Sequence, residues 1–391
     1  MSNFPCTDES TPLRILLLEE EPVAVEPVRE LLAAVEANPF ELDRIALPVP
    51  QFPPLMGGDI DVAVFHHRQP DRCGLRSFQK AFAGTREAPV KVLTGFDGGF
   101  LSVKALQEAG RGCLVTGQHL DSWSLRLRLS RALQRARRRR ARRAAQATRE
   151  ELRIAREIQQ KLFPAAPCVE GFDIGGASYP AALTGGDYFD FIPLPDGALG
   201  IVVGDVSGHG FGPALLMAST RAYLRGLAQT YVDPTEILTR ANRVLADDTG
   251  GEPYVTLLFA RLDPRTGSLV YASAGHPTGY VASAAGAVKE RLESTAIPLG
   301  LYPDADFSSS GAVALEPGDS VLLLTDGILE ARAPNGALFG EKRALDTLRV
   351  YRSDPARQLV DNLYHTVRAF TQNRPQHDDI TAVSIKAQAD A

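Results

Sequence analysis

Four apolar runs in the second half of the chain begin or end on an aspartate, and this recurrence constrains the fold more than any other feature. Residues 199–203 read as a buried strand that runs through Gly204 into Asp205 and a glycine-rich turn. Gly208 and Gly210 let that turn bend tightly and let a ligand approach its backbone. The run 321–324 ends in Thr325, Asp326 and Gly327, Asp187 stands in the GGDYFD stretch just upstream, and Asp378 and Asp379 open a strand expected over 382–386. Any one aspartate here is an ordinary turn former. Four in the same setting suggest carboxylates gathered at one rim of a sheet, where they repel one another unless a cation lies between them. Oxygen ligands without a His or Cys grouping favour Mg²⁺ or Mn²⁺ over zinc.

A chain of 391 residues, 44% hydrophobic and 23% charged, has the make-up of a globular protein of two or three domains. No apolar run reaches the length of a membrane span, and the N-terminus lacks a basic-then-apolar signal pattern. A cytoplasmic protein without a membrane partner is therefore expected. Cys6, Cys73, Cys113 and Cys168 show no CxxC spacing, which indicates neither a disulfide framework nor a zinc site. The net charge of −5 hides eleven arginines and no acid between residues 126 and 149. Such a run can bind nucleic acid. Here it lies among Ala, Leu and Gln without aromatics, Gly or Pro, which favours a solvated helical face, so nucleic acid is not expected as a partner.

Ahead of that run, short apolar segments at 13–18, 42–49, 60–65, 90–94 and 113–116 alternate with helical patterns at 23–35, 75–82 and 101–109. Five such alternations predict an α/β doubly wound parallel sheet over 13–120. The acids after the first strand (Glu19, Glu20, Glu21) and the segments 61–75, 89–95 and 113–117 resemble the receiver domains of two-component signalling. The resemblance is that of a degenerate response regulator, a pseudoreceiver. The family's phosphoacceptor aspartate falls on His66 and its lysine on Thr116, while Thr94 keeps the hydroxyl position.

Residues 121–162 hold no Gly or Pro and are rich in strong helix formers, so one helix is expected within a linker over 121–165. Ala141, Ala145, Thr148, Leu152, Ala155, Gln159 and Leu162 alternate spacings of three and four, a weak coiled-coil seam that predicts a homodimer through this helix. Packing of a single helix on its own domain is the alternative. From 166 to 387 the pattern turns to short strands with helices at 213–227, 234–245 and 355–370, an α+β domain.

The ordered set GGDYFD (185–190), GDVSGHG (204–210), SAGHP (273–277), PLG (298–300), LLLTDGILEA (322–331) and DDIT (378–381) resembles the metal-dependent PPM protein phosphatases, and more narrowly the bacterial SpoIIE/RsbU branch. Residues 156–164 resemble the linker that enters such domains. The resemblance implies two packed antiparallel sheets flanked by helices, with two ions, Mn²⁺ or Mg²⁺, at one end. It implies Asp205 as the ligand shared by both ions with the Val206 carbonyl beside it. Asp326 and Asp378 complete one ion, and Asp187 approaches the other. Asp190 and Asp379 stand behind these or serve a third ion. His209 is either a general acid for the leaving serine oxygen or a brace of the glycine turn. His276 reads as a loop residue and His377 as a turn residue. No serine or cysteine has the setting of a covalent nucleophile, and no arginine is marked as a phosphate clamp.

The activity so implied is hydrolysis of phosphoserine or phosphothreonine on a partner protein, by family analogy an anti-sigma-factor antagonist. A non-enzymatic adaptor built on the same two folds is the rival reading, although an adaptor has no need of clustered like charges. An arginine-rich nucleic-acid binder is a third, and its binding would fall steeply with salt.

Overall fold

The structure, a computed structural model, describes residues 12–19, 29–30, 32–34, 39–46, 60–66, 90–94, 113–115 and 123–388. The chain divides into two compact units, residues 1–149 and 150–391.

In the first unit, β1 (Leu13–Glu19), β2 (Phe40–Ala46), β3 (Val62–His66), β4 (Val90–Thr94) and β5 (Cys113–Val115) form one sheet. All its pairings are parallel and the order is β2-β1-β3-β4-β5. The order reverses between β1 and β3, as in an open doubly wound sheet. Leu13, Ile15, Leu17, Val62 and Val64 are buried in its core. His66 is the last residue of β3. Thr116 and the helical patterns at 75–82 and 101–109 lie outside the described residues; of the pattern at 23–35, residues 29–30 and 32–34 are helical.

Helix α1 (Trp123–Gln160) runs unbroken for 38 residues, because no Gly or Pro interrupts strong helix formers. Its early residues Leu129, Ala132, Leu133 and Ala136 join the core of the first unit. Further along, Ile154 and Ile158 are exposed, while Gln159 is buried.

The second unit has four layers. One sheet contains β7 (Tyr188–Pro193), β8 (Leu199–Val206), β9 (Val255–Asp263), β10 (Ser268–Ala274) and β13 (Val313–Ala314), in the order β13-β10-β9-β8-β7. The other contains β6 (Phe172–Tyr179), β11 (Gly279–Ala282), β12 (Val288–Leu292), β14 (Ser320–Leu324) and β15 (Ile380–Ala387), in the order β12-β11-β14-β15-β6. Every pairing in both sheets is antiparallel.

Period-two alternation explains why the strands read as continuous apolar runs. Ile201 and Val203 of β8, and Val321 and Leu323 of β14, point into the core between the sheets. Val202 and Val206 point the other way, onto α2 (Phe211–Leu227) and α3 (Pro234–Thr249). Leu322 and Leu324 likewise meet α5 (Gly340–Val350) and α6 (Ala356–Phe370). Each fully buried aliphatic side chain contributes about 1.5–3 kcal/mol, so both faces of each sheet hold the layers together. A short helix, α4 (Asp326–Leu329), follows β14 directly. Among the described residues no helix is long and apolar enough to cross a membrane.

Candidate active site

Antiparallel pairing brings the aspartates to one end of the sandwich. Tyr188 pairs with Gly204, so Asp187, just before β7, and Asp205, near the end of β8, share an edge. Leu324 pairs with Ala382, so Asp326, just after β14, shares an edge with Asp378 and Asp379, just before β15. The rim is thus built from both sheets rather than from one.

The four acids feel one another strongly. Asp205 is pushed up to about 8, first by burial and then by the charges of Asp326 and Asp378. Asp187 is fully buried and lies well above the usual carboxylate range, through burial and then the charges of Asp205 and Asp379. Burial followed by Asp378 and Glu330 raises Asp326; burial and Asp379 raise Asp378. Asp205 and Asp187 are close enough to hydrogen-bond through their carboxyl groups.

This donor set suits a hard divalent cation: the donors are oxygens, and a backbone carbonyl lies among them. A Cβ on Gly186 would stand 2.9 Å from the Val206 carbonyl oxygen and 3.2 Å from Asp205 Oδ1, so only glycine leaves that cradle open. Among the described residues, no three His, Cys, Asp or Glu side chains gather around one point as a ready-made ligand trio. Two of the acids are held by other donors. Thr325 Oγ1 donates to Asp187 Oδ2 at 2.9 Å. Asp379 accepts from the backbone amides of Ala181 (2.7 Å), Gly186 (2.8 Å) and Asp187 (3.4 Å), which ties down the loop that carries Asp187.

Asp190 belongs elsewhere. Fully buried, it accepts both arms of the Arg225 guanidinium at 2.6 Å and the Tyr188 hydroxyl at 2.6 Å, on the far side of β7 from Asp187's partners. It locks α2 to the sheet. A sequence reading that groups it with the rim acids is corrected by this pairing.

The histidines separate by environment. His209 is exposed on the turn, makes no hydrogen bond among the described residues, and lies near enough to Asp378 for its charge to be felt there. The brace of that turn is Ser207 instead. Its amide donates to Tyr254 O (2.9 Å) and its Oγ accepts from Tyr254 N (3.0 Å). Gly208 and Gly210 adopt φ of 96° and 99°, a region that side chains rarely enter. His276 is buried between the sheets, with Nδ1 3.2 Å from Thr256 Oγ1 and the Leu324 backbone beside it. His377 is exposed in the loop before β15.

Three positioning residues escape a reading by motif. Thr325 holds Asp187 and also accepts from Thr381 N at 3.1 Å. Gln159, near the end of α1, donates to Gly185 O (2.6 Å) and accepts from Gly185 N (3.1 Å). Arg221 donates to Leu162 O at 3.0 Å. The signal available for Gln159 was its place in the stretch 156–164 that resembles the entry linker.

The family model described as Stage II sporulation protein E (SpoIIE) matches residues 195–388. Phosphoserine phosphatase RsbU of Bacillus subtilis is 30% identical over 243 residues, which cover 62% of this chain and 71% of RsbU. The chain belongs to the SpoIIE family. It is a PPM-type phosphatase, a hydrolase. Protein IcfG of Synechocystis is 28% identical over 265 residues, 61% of this chain and 41% of IcfG. The solved SiaA-PP2C domain of Pseudomonas aeruginosa is 26% identical with a TM-score of 0.55, over 62% of this chain and 98% of that domain. The SpoIIE-family unit thus has the PP2C architecture of two packed antiparallel sheets between helices.

Proposed function

We propose that this phosphatase hydrolyses phosphoserine or phosphothreonine on a partner protein in a signalling circuit, the partner being an anti-sigma-factor antagonist. The observation that carries this reading is the acid rim, where Asp187, Asp205, Asp326 and Asp378 come together from two sheets and burial, with neighbouring acids, raises the proton affinity of each. Two divalent ions, Mn²⁺ or Mg²⁺, when bound there supply a water nucleophile at neutral pH and neutralise phosphoryl oxygens. Asp205 would hold both ions with the Val206 carbonyl beside it, Asp326 and Asp378 would hold one, and Asp187 the other. Asp379 keeps the Asp187 loop in place. His209, exposed at the rim, protonates the leaving serine oxygen. Full-length protein with Mn²⁺ and a phosphoserine protein is the test: release of phosphate that stops with excess chelator supports the reading. Activity that persists in chelator overturns it, and no activity under any condition favours the adaptor.

The reading includes regulation through α1, with the chain a dimer along the seam at Ala141, Ala145, Thr148, Leu152 and Ala155. The Gln159 contact with Gly185 supports it, because it ties the helix end to the loop that carries Asp187. Leu152→Pro costs about 3 kcal/mol of helix stability and will uncouple the helix upstream of Gln159 from the loop. The expected outcome is loss of dimer by light scattering together with a changed phosphatase rate. A monomeric wild type at micromolar concentration, with a rate unchanged by proline, sinks the coupling.

For the N-terminal unit, the receiver likeness is supported by its parallel sheet order. It works without aspartyl phosphorylation, since the end of β3 carries His66, whose imidazole offers no carboxylate oxygen. Incubation with acetyl phosphate and Mg²⁺ should add no phosphoryl mass; a stoichiometric adduct would show the alignment of β3 to be wrong.

A further inference from the structure

Beside the acid rim, a cavity of about 130 Å³ opens between the end of α4, the last turn of α6 and the loop 374–378. Asp378 belongs to both, since it stands in the rim and lines the cavity. Arg332, Arg368 and Arg374 line it from three separate segments. Several other arginines of this unit are matched to carboxylates, among them Arg225 to Asp190, Arg261 to Asp196, Arg291 to Glu341 and Arg357 to Asp361. These three have no ion pair among the described residues. Arg368 is half-buried and fixed by donating to Arg374 O at 2.6 Å. Glu330 also borders the cavity, but it too is unpaired. Ala331, Val367 and Ile380 supply an apolar wall.

Three unmatched guanidinium groups next to a rim of four carboxylates have a physical consequence. The rim repels any acidic residue that flanks the phosphorylated one, while the arginines attract it over the same few ångströms. Arginine's planar fork suits a carboxylate, and the apolar wall suits the methylenes that carry it. We infer that this cavity takes the carboxylate of a glutamate or aspartate of the protein substrate, within a residue or two of the phosphorylated side chain. Arg332, Arg368 and Arg374 then determine specificity. The inference rests on the phosphatase reading for the identity of the partner, and on the cavity alone for its chemistry.

The test uses the full chain and two fluorescent phosphoserine peptides, identical except that glutamates beside the phosphoserine in one are glutamines in the other. Binding is read by anisotropy in chelator, and turnover is read separately in Mn²⁺. The glutamate peptide should bind about tenfold tighter and show a correspondingly lower KM, with the advantage shrinking as salt rises. The double variant Arg332→Gln/Arg374→Gln, at exposed positions, should bring the two peptides to parity; a melting temperature equal to wild type shows that it folds. Equal binding of both peptides by the wild type overturns the inference. So does a preference that survives the double variant, or orthophosphate displacing the glutamate peptide at concentrations as low as the peptide's own. A glutamate preference in binding with no hydrolysis of either peptide would leave the subsite standing and remove the phosphatase reading.

Discussion

Asp205→Asn will lower phosphoserine hydrolysis by about three orders of magnitude, a barrier increase of about 4 kcal/mol at tenfold per 1.36 kcal/mol. Asp205 stands one residue before the end of a strand buried on both faces, and it couples to Asp326 and Asp378 from the other sheet as well as to Asp187 from its own. Asp187 also feels charge from both sheets, but Asp205 feels more of it, with Asp326, Asp378 and Asp379 all acting on it from the other sheet. Asparagine keeps the shape and loses the charge, so the fold should survive. In chelator it should even melt higher. The carboxyl is pushed up to about 8 in the fold, far above its unfolded value, so at neutral pH its ionised form opposes folding, and removing the charge removes that opposition. The two readouts are phosphate release in Mn²⁺ and thermal unfolding in chelator. Activity within tenfold of wild type would mean that the centre of the site lies elsewhere.

His276 will make the second unit acid-sensitive. Burial between the sheets holds its imidazole down from 6.5 to about 3. In the unfolded chain it takes a proton below about 6.5. The depressed group therefore contributes stability that is fully present above pH 6.5 and is lost as pH falls toward 3. The slope is about 1.4 kcal/mol per pH unit, so about 2–3 kcal/mol is gone by pH 4.5. The rim acids act with the opposite sign over the same range, so the measurement that isolates the histidine is a difference. Urea unfolding of wild type and His276→Asn should be compared at pH 7 and pH 4.5. Asparagine can still bond Thr256 but cannot protonate, and its stability should fall less by that 2–3 kcal/mol. Equal falls would show that the imidazole is solvated in the native state. His276→Gln serves as the second variant should asparagine fail to fold.

Much of this protein follows from local pattern. The apolar runs at 90–94, 113–115, 199–206, 268–274 and 320–324 are strands because their residues are β-branched or aliphatic and bounded by turn formers. The long α1 follows from the absence of Gly and Pro. Asp187, Asp205, Asp326 and Asp378 could be singled out because a charge at the end of an apolar run needs a reason. Short or polar elements were less visible: β12 is nearly all exposed, and α5 is a short, charge-rich helix flanked by turn residues. Two strands of opposite sheets, distant in sequence, meet at one rim because the apolar inner faces of both sheets pack on each other, and no local pattern encodes that. For the same reason Asp187, just before β7, and Asp190, three residues further on within it, have different fates. Alternation along β7 and the packing of α2 bring Arg225 to the first, while Thr325 of the other sheet reaches the second. The partner of Gln159 and the convergence of the three cavity arginines are likewise matters of tertiary contact. Propensity and period act over a few residues, whereas the field that a side chain feels is set by whatever packing brings within a few ångströms of it.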